Sequence, residues 1–214
     1  MKHTYREPVN GFTHLFGAIA SVVALIAMGE KVVVSGEGTL ALIGVAVFGL
    51  SLILLYTASS IYHLTIATDK ILFFLRRLDH SMIFILIAGT YTPIALIALD
   101  GTWRLGLLIS IWVLALIGVF FKIFWFNAPR WISTVAYIFM GWIAVLFFYP
   151  LSKTIPIEGF FWLILGGVLY TVGAIIYGLK KPNISVNFGF HEIFHVFILL
   201  GSLCHFILVF SYLL

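Results

Sequence analysis

Between Phe12 and Leu214 the sequence runs as seven apolar stretches, separated by short clusters of charge, Gly and Pro. Each stretch is roughly twenty residues long, the length an α-helix needs to cross the hydrocarbon core of a bilayer. The stretches are continuous and do not alternate apolar with polar residues, which argues against a transmembrane β-barrel. Only 9% of residues are charged and 63% are hydrophobic, whereas soluble domains carry about a quarter charged residues. The chain is therefore expected to be an all-α integral membrane protein, a seven-helix bundle. The spans read from the sequence are Phe12–Val34, Leu40–His63, Leu78–Leu99, Trp103–Trp125, Trp131–Tyr149, Phe160–Leu179 and His191–Leu214. Short connections leave one domain over residues 1–214.

The positive-inside rule orients this bundle. Lys2, Arg6, Lys70, Arg76, Arg77, Lys122, Arg130, Lys180 and Lys181 fall on one side, and only Lys31, Arg104 and Lys153 on the other. This asymmetry predicts a cytoplasmic N-terminus and an external C-terminus. The polar stretch Met1–Asn10 lacks a cleavage site, so no signal peptide is expected. The single cysteine, Cys204, excludes an internal disulfide. The net charge of +4 is small, reflects topology, and calls for no nucleic-acid partner. Gly44 and Gly49 in the second stretch, and Gly166, Gly167, Gly173 and Gly178 in the sixth, suit close helix packing. Pro93 is expected to kink the third span, and Pro150 to end the fifth.

Polar residues inside such stretches are costly and need a reason. The second span ends Ser59-Ser60-Ile61-Tyr62-His63, the third begins Leu78-Asp79-His80, and the seventh begins His191-Glu192-Ile193-Phe194-His195. With the N-terminus inside, the second span descends to the cytoplasm while the third and seventh leave from it. His63, Asp79, His191 and His195 then meet at one membrane depth. His191 and His195, four residues apart, share a helix face, as do Ser59 and His63. Three neutral imidazoles suit zinc and leave one tetrahedral position for water. Asp79 is expected to contact that water or orient a histidine, and Ser59 to donate to a bound carbonyl or its oxyanion.

Other readings of these residues are weaker. A lone helical histidine is usually a satisfied core group, but three at one depth with an aspartate favour a metal. His205 lies nearly three turns beyond His195, toward the opposite leaflet, and is set aside. His80 points away from Asp79 along its helix, and His3 sits in the polar tail. The string His191-Glu192-x-x-His195 also matches a metalloprotease pattern in which the glutamate is a general base. Such a short string arises easily by chance, and Glu192 at a helix start is already favoured by the macrodipole.

At these residues the chain resembles the hemolysin III family, the bacterial branch of the progestin and adipoQ receptor (PAQR) superfamily. The resemblance covers essentially the whole chain. It rests on Ser59 with His63, on Asp79, on His191 with His195, and on an N-terminal motif of Glu7, Asn10, Thr13 and His14. It implies a bacterial plasma-membrane protein with zinc near the cytoplasmic face, held by His63, His191 and His195, with Asp79 contacting it through water. The superfamily includes alkaline ceramidases, which suggests zinc-dependent hydrolysis of lipid amides or esters and a part in membrane homeostasis. The family name records a haemolytic, pore-forming activity. The resemblance gives Glu7, Asn10 and His14 no chemical role beyond packing close to the site.

The leading expectation is a zinc-dependent hydrolase with a membrane lipid as substrate, Asp79 and Ser59 being its catalytic residues. The alternatives are a sensor or receptor braced by zinc, a cytolysin, and an intramembrane metalloprotease using Glu192 and Asp79. A pore is physically awkward, because the fourth to sixth spans carry no polar stripe.

Overall fold

The computed structural model describes residues 5–185 and 188–214; Lys2 and His3 lie outside them. Among the described residues seven helices are long and apolar enough to cross a membrane. They are Pro8–Ser35, Gly38–Leu64, Asp69–Ala98, Gly101–Phe124, Arg130–Leu151, Ile157–Leu179 and Phe190–Leu213. Large apolar side chains such as Phe16, Val23, Ile109 and Phe139 are exposed along them. In water that surface would aggregate; in a bilayer it faces lipid. The third span is the most buried of the seven. It divides the core into a cluster around Phe48, Tyr56 and Leu86 and another around Phe84, Ile94 and Ile111.

The third helix begins at Asp69, nine residues before Leu78. The segment Asp69–Arg77 carries four charged residues, yet it continues the same helix. Asp79 therefore lies about three turns inside a helix rather than at its start. Pro93 lies within this helix, which stays unbroken to Ala98. Gly44 allows the close approach there, since a Cβ at Gly44 would come within 2.9 Å of the Pro93 Cα.

The fifth span departs from a regular helix. It is α-helical over Arg130–Gly141, turns to 3-10 geometry over Ile143–Phe147, and closes with Phe148–Leu151, so Pro150 sits in its last turn. Backbone groups freed within a membrane must find other partners. Tyr91 supplies them: its hydroxyl donates to the Gly141 carbonyl at 2.6 Å and accepts from the Ala144 amide at 3.0 Å. The bundle is also tied by a buried hydroxyl knot, with Ser202 Oγ 2.6 Å from the Tyr56 hydroxyl and 2.8 Å from that of Tyr170.

Candidate metal centre

Two helices deliver the imidazoles: His63 from the last turn of the second span, and His191 and His195 from the first two turns of the seventh. One ring nitrogen from each lies within 4.8 Å of the others. Their ring centroids are 4.9 to 5.0 Å apart. His63 and His195 are fully buried, and His191 is partly buried.

Hydrogen bonds set which nitrogen of each ring is free. His63 Nδ1 donates to the Glu7 carboxylate, and His195 Nδ1 donates to the Asn10 carbonyl at 3.2 Å. Both rings then carry their lone pair on Nε2, the usual effect of an outer partner on a metal-binding histidine. His63 Nε2 is buried without a hydrogen-bond partner. An orphaned imidazole nitrogen facing two further imidazoles fits a divalent cation that accepts nitrogen ligands, and zinc is the commonest of these. Burial alone would raise the Glu7 carboxyl, but the hydrogen bond from His63 and the charge of Arg6 outweigh it and hold it below its ordinary 4.5.

The N-terminal motif surrounds these ligands. Glu7 abuts His63, and Asn10 donates to Glu192 Oε1 at 2.7 Å. His14 stacks on His195 with centroids 3.6 Å apart. The first span thereby fixes both ends of the ligand set, a role that spacing alone did not reveal. Glu192 has both oxygens engaged, one with Asn10 and one accepting the Gly189 amide at 2.8 Å. It caps its helix and ties down the first span.

Ser59, Asp79, His191 and His195 line one apolar cavity of about 250 Å³. Ser59 Oγ is buried without a partner. The cavity runs on past Ile83, Ile87 and Ile94 to Phe148 and Phe160, with His205 in its wall. Its walls include Val145 and Ile164, which are also exposed on the lipid-facing surface between the fifth and sixth spans. His80, set aside in the sequence, turns back to Asp79: its Nδ1 is 3.3 Å from Asp79 Oδ2 and donates to the Arg76 carbonyl at 2.8 Å. Its Nε2 lies 3.0 Å from the Tyr177 hydroxyl. Adjacent helical residues diverge in direction, so no sequence spacing signals this contact.

The Haemolysin-III related family profile matches residues 2–206. The chain belongs to the Haemolysin-III related family. It is 41% identical to Hemolysin-3 of Bacillus cereus, covering 97% of this chain and 92% of that protein. It is 39% identical to the Hemolysin-3 homolog of Bacillus subtilis (strain 168), covering 96% and 93%. A weaker match, 29% identical, links 58% of the chain to 42% of the ADIPOR-like receptor IZH2 of Saccharomyces cerevisiae. With seven apolar helices, this Haemolysin-III related chain is a multi-pass cell-membrane protein of the bacterial kind.

Proposed function

We propose that the protein is a zinc-dependent hydrolase of lipid amides or esters, with its site at the cytoplasmic end of the bundle. The observation that carries this reading is the orphaned, buried Nε2 of His63 beside His191 and His195, at the head of an apolar cavity that also holds Asp79 and Ser59. His63, His191 and His195 would hold the ion, which when bound supplies Lewis-acid polarisation of a carbonyl. Asp79 would take the proton of the attacking water, with His80 steadying its carboxylate. The unpartnered Ser59 hydroxyl would donate to the carbonyl oxygen as charge builds there. The apolar wall would bind an acyl chain and exclude water, and the exposed residues between the fifth and sixth spans suit lateral access from the bilayer. A metal-braced receptor is the second reading, favoured by the way Glu7, Asn10 and His14 lock the first span onto the same histidines. The relatives' name suggests cytolysis, but the cavity walls are apolar and suit an acyl chain rather than an ion path.

Metal analysis of the purified protein, paired with hydrolysis assays on ceramide-type amides and on esters, tests the proposal. Asp79→Ala should keep the metal and lose hydrolysis, while His63→Ala should lose both. A His63→Ala protein that hydrolyses lipid at the wild-type rate without its metal would sink the idea.

A further inference from the structure

Three cations at the same end of the bundle have no part in that chemistry. Lys122 lies in the last turn of the fourth span and is 4% exposed. Its ammonium donates to the Ser133 hydroxyl, a neutral partner. Arg76 and Arg130 are the charged groups that act on it. One aromatic ring joins two of the three: the Phe126 centroid is 5.4 Å from the Arg76 guanidinium and 5.8 Å from the Lys122 ammonium. The Arg130 guanidinium lies 4.8 Å over Tyr177, the residue bonded to His80.

Among the described residues no ion pair joins this group to a carboxylate. All eight carboxylates fall among the described residues. The ion pairs there join Glu7 to Arg6 and His63, Asp79 to His80, and Asp100 to Arg104. Arg77, the next residue along, differs, because its guanidinium is spent on the Ile123 carbonyl at the end of the fourth span. A buried ammonium beside two like charges is costly without a counter-ion. The helix C-terminus offsets only about 0.3–1 kcal/mol of that cost. Two guanidiniums held on aromatic faces, with an ammonium sharing one of those rings, match the several acceptor oxygens of a phosphate.

We propose that Arg76, Lys122 and Arg130 bind one phosphate group, that of an anionic phospholipid in the adjoining leaflet. The guanidiniums, half-buried, take the phosphate oxygens, and Lys122 supplies charge from beneath. This inference does not rest on the hydrolase reading, and its test reads binding alone.

The purified full-length protein in detergent is titrated with phosphatidylglycerol, with diacylglycerol, which lacks the phosphate, and with inorganic phosphate, following the melting midpoint. Phosphatidylglycerol should raise the midpoint saturably, diacylglycerol should not, and inorganic phosphate should bind at least about tenfold more weakly, lacking the anchored chains. Arg76→Gln with Arg130→Gln should weaken the lipid about thirtyfold, from roughly 1 kcal/mol per cation near the surface. Arg76→Lys with Arg130→Lys keeps the charge but loses the planar forks, and should weaken the lipid by less than the double Gln variant. If the double Gln variant does not fold, Arg130→Gln alone should read about fivefold on the same scale. Lys180→Gln with Lys181→Gln removes equal charge from a nearby loop and should leave binding unchanged. An equal loss in that loop variant, an equal response to diacylglycerol, or equal potency of free phosphate would each overturn the proposal.

Discussion

His14 and His195 stack face to face, centroids 3.6 Å apart and planes 12° apart, and both ring nitrogens of His14 are buried without a partner. His14 therefore acts on the centre through its ring face, holding His195 at the angle its hydrogen bond to Asn10 requires. Such ring contacts contribute about 0.5–1.5 kcal/mol. His14→Ala is expected to weaken metal binding about three- to tenfold on that basis, and His14→Phe, which keeps the ring, much less. Competition for zinc against a chromogenic chelator measures both.

Glu7 fixes His63 from the end of the first span, and outer partners of metal-bound histidines are typically worth about 10–100-fold in affinity. Glu7→Ala is expected to fall in that range. Glu7→Gln keeps an acceptor for Nδ1 and should fall less. The readout is metal content after dialysis against a graded chelator, with circular dichroism to show that the helices persist.

Seven spans and the His63, His191 and His195 set were legible because both follow from simple periodicities, the length of apolar runs and the four-residue helix face. The contacts of Glu7, Asn10 and His14 were not, because they join residues up to 185 positions apart through packing of the chain's first helix on the second and seventh. The 3-10 break in the fifth span was equally hidden, since its remedy, the Tyr91 hydroxyl, comes from another helix. The start of the third span was misplaced for a different reason. A cluster of charge marks a break in an apolar run, and the charged Asp69–Arg77 segment is helical all the same.

Glu192 separates a protease from a lipid hydrolase. Both its oxygens are engaged, with Asn10 and the Gly189 amide, so it is a cap rather than a free base. Glu192→Gln should keep the metal and the lipid hydrolysis proposed above. It should lower stability by about 0.5–2 kcal/mol, the usual cost of a weakened helix start. Activity assays beside thermal melts check this, and loss of hydrolysis with metal retained would return Glu192 to the chemistry.

Gly44 and Gly29 offer a matched pair for the packing argument. A Cβ at Gly44 meets the Pro93 backbone at 2.9 Å, whereas one at Gly29 meets nothing within 4 Å. Backbone cannot rotate aside as a side chain can, so Gly44→Ala must push the second and third spans apart. The expected cost is about 1–3 kcal/mol, as for other overpacked sites, against little change for Gly29→Ala. Melting midpoints of the two variants in the same detergent decide it.

Removing the metal should destabilise the bundle, because the ligands come from two spans and their outer partners from a third. A ligand at a hundred times its Kd adds about 2.7 kcal/mol to the folded state. For a chain of this size that corresponds to a shift of roughly 5–10 °C in Tm. Chelation of wild-type protein should therefore lower Tm by that amount, and added zinc should restore it. His63→Ala should show no response to either treatment. Asp79→Ala, which leaves all three imidazoles in place, should respond as wild type does while failing to hydrolyse lipid. If wild-type protein responds to chelation in this way yet hydrolyses neither amides nor esters, the metal is a brace for the spans and the receptor reading takes precedence.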